Sequence, residues 1–339
     1  LSQELQFEVE KILQKPPLAP LRLNMADIDF EGYWYYLERG RIITTLAYAY
    51  PYLTPTQQVQ VKSYVKNHLN SGAEAPWVSS TKANGEGAER NYHGYKLTEG
   101  RFPRDRTNIS SVPVLHVIYG LWLYGDRTGD WATIQPYWNQ IKTFYNNNRT
   151  SKILYGQMSG HLAMARLAHQ FGDSTMQAAA VTHATAELTA GLSDATIESR
   201  QRQTAFNYFY CDRCNGHFPG QPWMYLEASP EIHRYLKDNL STEVNTRTNA
   251  FKARFPHWWI MQQPSFTRWT GDEGQGITSE PLGMIFPIER WIKDPSPNQL
   301  KNYLKSAPTA IDDLYWIEAL VTTIEAHGQT CWTNIITNQ

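Results

Sequence analysis

The feature that most constrains this chain is a helical periodicity of apolar residues that recurs in successive stretches. In each stretch, apolar side chains fall at steps of three and four residues, which places them on one face of an α-helix. Short segments rich in Gly and Asp separate the stretches, and two helices joined by a short turn form an αα-hairpin. The three clearest stripes are Val112, Leu115, Ile118, Tyr119, Trp122 and Leu123; Ile134, Tyr137, Trp138, Ile141 and Tyr145; and Leu154, Met158, His161, Leu162, Ala165 and Ala168.

The periodic stretches together predict about twelve helices, and strand signals are sparse. Helix-start signals support this count: Thr54 and Gln57 form a capping box around a Pro, and Ser229 and Ser296 each precede a Pro. We therefore expect an all-α fold in a single domain spanning residues 1–339. The predicted helices cover residues 3–14, 38–50, 55–70, 112–125, 131–146, 153–171, 174–191, 197–210, 230–250, 282–293, 297–306 and 310–327.

Two long segments, residues 71–111 and 251–281, fit no helix. Structureless segments of this length in a compact domain are usually functional or disordered, and their aromatic content argues against disorder. We predict that they are ordered loops that roof a groove on one face of the helical scaffold. Their aromatic and basic residues include Trp77, Arg90, Tyr92, His93, Tyr95, Arg101, Arg104, Trp258, Trp259, Arg268 and Trp269.

Composition and charge exclude several classes of protein. The 31 Lys and Arg residues balance 32 Asp and Glu residues, which leaves no basic excess for binding a nucleic-acid backbone. No apolar run approaches the length of a membrane-spanning helix, so neither nucleic acid nor a membrane is an expected partner. The chain has 12 Trp and 20 Tyr residues, and aromatic faces pack well on sugar rings, so the composition suits carbohydrate binding.

The consecutive hairpins, their bulky loops and the segment LWLYGDRTGDW at residues 121–131 resemble those of α/α-toroid carbohydrate-active enzymes. The families in question are the six-hairpin glycosidases and the α/α-barrel polysaccharide lyases of the alginate and glucuronan type, and we take the chain to resemble the lyases. The resemblance implies a toroid of about six helical hairpins, a secreted or periplasmic location, a polysaccharide or oligosaccharide substrate containing uronic acid, and no cofactor or metal. Terpene cyclases also use helical toroids, and Asp312-Asp313 could echo their acidic motif, but a second metal motif is not recognisable.

Lyase chemistry on a uronic acid needs a group that neutralises the carboxylate, a base for the proton beside it, and an acid for the leaving oxygen. The related lyases supply these groups with Asn, His, Arg and Tyr. One candidate set is distributed over successive helices and consists of Asn108, His161, Arg202 and Tyr208. Tyr210 could take the place of Tyr208 in this set. A second set lies in the first long loop, beside Lys96: Arg90, Asn91, His93 and Tyr95. Further candidates for substrate binding are Arg101, Arg104, Trp258 and Trp269.

Other interpretations stay open. His161 lies between apolar neighbours and could be a core histidine, and Asn108 heads a glycosylation tripeptide. A glycoside hydrolase would instead use two carboxylates, and a glycan-binding helical protein would cleave nothing. Carboxylates available for hydrolysis are Asp27, Asp29, Glu31, Asp272, Glu273 and Glu280. A zinc site would need more than the three adjacent ligands Cys211, Cys214 and His217, for which a disulfide or two free thiols is the simpler prediction.

Overall fold

The structure, a computed structural model, describes residues 1–14, 40–72, 74–78, 91–92, 95–96, 115–149 and 157–190, and helical positions 242, 249, 298, 302, 317, 318, 320, 321 and 324. This part of the chain is all-helical apart from one two-residue antiparallel pairing. Its elements are α1 (Ser2–Gln14), α2 (Arg41–Ala49), a 3-10 turn (Tyr50–Tyr52), α3 (Pro55–Asn70), β1 (Asn91–Tyr92), β2 (Tyr95–Lys96), α4 (His116–Thr128), α5 (Trp131–Ile134), a second 3-10 turn (Gln135–Tyr137), α6 (Trp138–Asn148), α7 (Gln157–Gln170) and α8 (Ser174–Ala190).

Local signals in the sequence fix the ends of several helices. The predicted capping box of α3 is confirmed, because the Thr54 hydroxyl accepts from the Gln57 backbone N–H and the Gln57 side chain accepts from the Thr54 N–H. At the start of α8, the Asp173 carboxylate accepts from the Met176 N–H. Gly129 ends α4 with a φ of 68°, a left-handed conformation that favours glycine.

Helices α2, α4 and α7 pack side by side in a row, with α4 in the middle. Two glycines set the spacing of this row. A Cβ at Gly120 of α4 would lie 2.7 Å from the Thr44 Cβ of α2, and a Cβ at Gly160 of α7 would lie 2.7 Å from the Leu115 carbonyl oxygen. Because neither glycine carries a side chain, the backbones approach closely and exclude water along both contacts.

Helices α4 and α7 of the row are each followed along the chain by a helix that packs against them. Helix α8 folds back on α7 through the turn at Gly172, and α5 returns to α4 with the Trp131 ring against Gly125. Helix α1 packs on both α2 and α3. Its stripe of Leu5, Val9 and Ile12 is buried at steps of three and four residues, as the periodicity predicts.

Residues near the C-terminus share the core of the first half of the chain. Ile317, Leu320 and Val321 are buried within the same apolar cluster as α1, α2 and α4. The Thr45 hydroxyl of α2 donates to the Glu318 carboxylate across 2.9 Å. The chain therefore brings a helical segment from its C-terminal end against one of its first helices.

The described helices agree with seven predicted ranges, with two corrections. The predicted helix 131–146 is wrong as a continuous element, because a 3-10 turn containing Pro136 interrupts it. The predicted helix 112–125 continues to Thr128, because Gly125 lies inside the helix under Trp131 rather than ending it. Described positions within 230–250, 297–306 and 310–327 are helical, whereas 197–210, 282–293 and both Ser-Pro caps lie outside the described residues.

Candidate functional site

The structure describes a small part of the predicted site. His161 is the predicted catalytic residue whose side chain lies within the described part of the chain, and Asn91 and Tyr95 are described as backbone only. The segment 251–281, most of 71–111, both candidate carboxylate sets and the Cys pair lie outside it. So do these predicted site residues: Arg90, His93, Arg101, Arg104, Asn108, Arg202, Tyr208, Trp258 and Trp269.

His161 lies on α7 and its side chain is fully buried between α6 and α8. Its Nδ1 is 2.7 Å from the Tyr145 hydroxyl of α6, and the two rings meet edge to face. On the other side its ring stacks on the half-buried His183 ring of α8, with centroids 5.5 Å apart. Two imidazoles and a phenol therefore form one contact cluster where three helices meet.

The electrostatics of this cluster favour a neutral phenol. Burial raises the pKa of Tyr145, and the nearby Arg149 opposes this shift as the smaller influence. A phenol that keeps its proton can donate to an unprotonated Nδ1 of His161, which fixes the orientation of the imidazole ring. These contacts of His161 are what a core histidine would have. The same hydrogen bond would also orient His161 if it acted as a proton acceptor.

The opposite side of α7 carries a different arrangement. Successive helical residues turn by about 100°, so Arg166 points about 140° away from His161 around the helix axis. Its guanidinium carbon lies 4.2 Å from the centroid of a ring of Trp122, which belongs to the neighbouring α4. Both side chains are half-buried. Cation and indole thus form a contact across the row that is still open to solvent.

Two tyrosines extend this contact along the row. The ring centroids of Trp122 and Tyr119, which lies one turn earlier on α4, are 5.4 Å apart. The ring centroids of Tyr119 and Tyr48 of α2 are 6.2 Å apart. Tyr119 is fully buried and Tyr48 is half-buried. We call Tyr48, Tyr119, Trp122 and Arg166 the aromatic face. Thr45, whose hydroxyl donates to the Glu318 carboxylate, lies about one turn before Tyr48 on α2.

The segment that carries the family resemblance has a structural role here. Tyr124 donates to the Asp130 carboxylate across 2.6 Å, and Thr133 donates to the same oxygen across 2.7 Å. Burial first, and then the hydrogen bond to Asp130 together with the charge of that carboxylate, raises the pKa of Tyr124. Arg127 donates to the Tyr48 and Ala47 carbonyls, which lie at the end of α2. These contacts close the turn between α4 and α5 and tie it to α2.

The first long loop contains one regular feature. Asn91 pairs with Lys96 and Tyr92 with Tyr95 in an antiparallel register, with two residues between the strands. Of the predicted local cluster, this pairing contains Asn91 and Tyr95, whereas Arg90 and His93 lie outside the described residues.

Sequence reasoning did not bring the residues of the aromatic face together. Tyr119 and Trp122 were visible only as members of an apolar stripe, and Arg166 lies in the stretch that contains His161. The available signal was that Arg166 interrupts an otherwise apolar and small-residue helix, LAMARLAH at 162–169. Periodicity alone does not show that α4 and α7 are neighbours, and that contact is what brings Arg166 to Trp122.

Within the described ranges, no group of three or more His, Cys, Asp or Glu side chains is placed to hold a metal ion. None of the helices described is both long and apolar enough to cross a membrane. Comparison of the chain with protein-family models, curated proteins and solved structures finds no match.

Proposed function

We propose that the chain forms an α/α toroid in which α2, α4 and α7 belong to the inner ring. In such a fold, alternate helices along the chain lie side by side and the last hairpin meets the first. The row of α2, α4 and α7 is consistent with this alternation, since among the described helices α3, α5 with α6, and α8 follow its three members along the chain. The Thr45–Glu318 contact supports closure, because it joins α2 to a helical position near the C-terminus.

The proposed activity is cleavage of a uronic-acid-containing glycan by β-elimination. The observation that carries this proposal is the aromatic face, where Arg166 lies over Trp122 and Tyr119 lies between Trp122 and Tyr48. Aromatic rings suit the apolar faces of sugars, and a guanidinium suits the carboxylate whose neutralisation makes the adjacent proton acidic.

The proposed base and acid are His161 and Tyr208, with Asn108 and Arg202 on the substrate carboxylate. The position of His161 restricts this assignment, because its ring faces α6 and α8 whereas the aromatic face, which includes Arg166, lies on the other side of α7. One sugar unit bound against Trp122 would not touch His161. Catalysis by His161 therefore requires substrate to enter between α6 and α8, and a variant at this position tests that requirement.

The test is a screen of the full chain against uronate polysaccharides, following the ultraviolet absorbance of the conjugated double bond that elimination creates. We expect absorbance to rise with at least one uronate polymer and with no neutral polymer. His161→Gln should then abolish the rise while the chain stays folded. His169→Gln is the matched control, because His169 is exposed on the same helix. Equal turnover by His161→Gln and the unmodified chain would remove His161 from the mechanism.

Glycan binding without cleavage is a second candidate function, and the complete burial of His161 favours it. A histidine enclosed by Tyr145 and His183 has the contacts of a core residue, whereas the aromatic face needs no catalyst to bind a sugar. This alternative predicts retention on an immobilised glycan with no change in the length of the polymer. A gain in reducing ends without ultraviolet absorbance would instead indicate hydrolysis by paired carboxylates.

A further inference from the structure

We infer that Tyr145 is a positioning residue for His161 and holds its imidazole in the neutral form that carries the proton on Nε2. The inference rests on the proposed function only for the role of His161 in catalysis. It adds to that function which ring nitrogen of His161 donates a hydrogen bond and which one holds a lone pair. The sequence shows Tyr145 only as a member of an apolar stripe.

The hydroxyl of Tyr145 needs an acceptor for its proton. The side chain is fully buried, and its oxygen lies 2.7 Å from Nδ1 of His161. Within the described part of the chain, no other group forms a hydrogen bond with this hydroxyl. Arg149 is the charged neighbour that acts on the phenol, and a guanidinium has donors but no acceptor. Because a buried O–H without an acceptor is costly, Nδ1 is the group that accepts the phenol proton.

The direction of this hydrogen bond determines the tautomer of His161. A neutral imidazole has one nitrogen with a proton and one with a lone pair, so an Nδ1 that accepts places the ring proton on Nε2. If Nδ1 carried a proton, in the other tautomer or in the imidazolium, the phenol would have to accept and its own O–H would stay buried without a partner. Burial also raises the pKa of Tyr145, so the phenol keeps the proton that it donates.

Ring contacts from two helices hold the plane of the His161 imidazole. The Tyr145 ring of α6 meets it edge to face, at an interplanar angle of 88°. The His183 ring of α8 stacks on it at 19°, with centroids 5.5 Å apart. The imidazole therefore cannot exchange the positions of its two nitrogens without disrupting contacts to both helices, so the orientation and the tautomer are set together.

The tautomer decides what His161 can contribute to the proposed elimination. In a histidine base, an acceptor binds the Nδ1–H and leaves a lone pair on Nε2 for the substrate proton. Tyr145 does the opposite, because it donates to Nδ1 and leaves the proton on Nε2. In this state the imidazole can donate a hydrogen bond to developing negative charge, whereas removal of a proton by Nε2 would first require a change of tautomer.

Nitrogen-15 NMR of the histidine side chains measures the tautomer, because a ring nitrogen that carries a proton resonates well upfield of one that holds a lone pair. The full chain is labelled at its 10 His residues, and His161→Gln identifies the His161 signals by their loss. Tyr145→Phe removes the hydroxyl and keeps the ring. Tyr137→Phe is the matched control, because the Tyr137 hydroxyl donates to Asn70 rather than to a histidine. Thermal melts establish that each variant is folded.

We expect the unmodified chain at neutral pH to carry the His161 proton on Nε2 in about tenfold excess, since leaving a buried donor unpaired costs about that factor or more. Tyr145→Phe should move the Nδ1 signal, because a lone pair that accepts a hydrogen bond resonates differently from a free one. Tyr137→Phe should leave both His161 signals unchanged. Where the glycan screen finds turnover, Tyr145→Phe should lower kcat by about tenfold or more, since tautomer control is worth at least that to a catalytic histidine, and Tyr137→Phe should not.

A proton on Nδ1 of His161 in the unmodified chain at neutral pH, alone or together with one on Nε2, would overturn the inference. So would His161 signals that Tyr145→Phe leaves unchanged, and an unaltered kcat would overturn the positioning role. The unmodified chain alone reports the direction of the hydrogen bond, so the inference is still tested if Tyr145→Phe does not fold. The failure of the proposed function is separate, because it appears as an absence of turnover and does not change the NMR result.

Discussion

Gly120 is the position where the packing of α2 on α4 can be tested most directly. Replacing it with Ala would place a Cβ against the Thr44 hydroxyl, 2.7 Å from the Thr44 Cβ and 2.8 Å from its Cα. Carbon atoms pack best at about 3.5–4.0 Å, so relief requires the two helices to separate. The Thr44 side chain cannot rotate away from this overlap, because the Cα and Cβ belong to the rigid part of the residue.

Two opposing contributions set the change in the free energy of unfolding that Gly120→Ala causes. Overpacking a core typically costs about 1–3 kcal/mol, and the involvement of a backbone atom places this site near the upper value. Ala is better than Gly inside a helix by about 1 kcal/mol, which offsets part of the cost. We therefore expect Gly120→Ala to lower the free energy of unfolding by about 2 kcal/mol, and Tm by about 3 °C in a chain of this size.

Denaturant unfolding followed by circular dichroism measures the change. The control is Gly129→Ala, where no atom lies within 4 Å of the new Cβ and the cost comes only from a φ of 68°. That strain is about 1–2 kcal/mol and requires no helix separation, so its effect should not depend on residue 44. The second substitution Thr44→Ala removes the hydroxyl and should partly rescue Gly120→Ala. Unchanged or increased stability of Gly120→Ala would refute the close crossing of α2 and α4.

Two further predictions concern the tyrosines. Tyr145→Phe removes the 2.7 Å contact with His161 and should lower the free energy of unfolding by about 1–2 kcal/mol in denaturant melts, whereas an unchanged value would argue against that hydrogen bond. Burial raises the pKa of both Tyr124 and Tyr145, so their folded forms keep the proton after the unfolded phenols ionise near pH 10, at about their ordinary pKa. Their contribution to stability is therefore present below about pH 10 and is lost as the pH rises further. Above about pH 10, the Tm of Tyr124→Phe should fall less steeply with pH than the Tm of the unmodified chain. Identical dependence of Tm on pH in the two proteins would contradict this.

The helices could be predicted because their signals are local. An apolar stripe such as Leu5, Val9 and Ile12 predicts which side of a helix is buried, even when the helix that packs against it is unknown. The capping box at Thr54 fixes the start of α3 in the same way. The two errors occur where one residue type is compatible with two structures. Gly125 allows close packing of Trp131 inside α4 rather than ending the helix. Pro136 interrupts the predicted helix 131–146, although the apolar spacing continues through it.

The aromatic face could not be predicted, because it depends on which helices are neighbours. Trp122 and Arg166 are 44 positions apart, and their contact exists only because α4 packs on α7 through Gly160. His161 was found as a candidate because its residue type is chemically informative. The sequence could not show that its ring faces Tyr145 and His183, since the direction of a helical side chain is defined only once the surrounding helices are placed.

The ratio of new double bonds to new reducing ends, measured on a uronate polysaccharide treated with the full chain, tests the central claim most directly. Each elimination creates one conjugated double bond and one reducing end, so the proposed lyase predicts equal amounts of the two throughout the reaction. Reducing ends that accumulate without double bonds would contradict elimination and indicate hydrolysis. Neither product, with the polymer bound and intact, would contradict a catalytic role altogether.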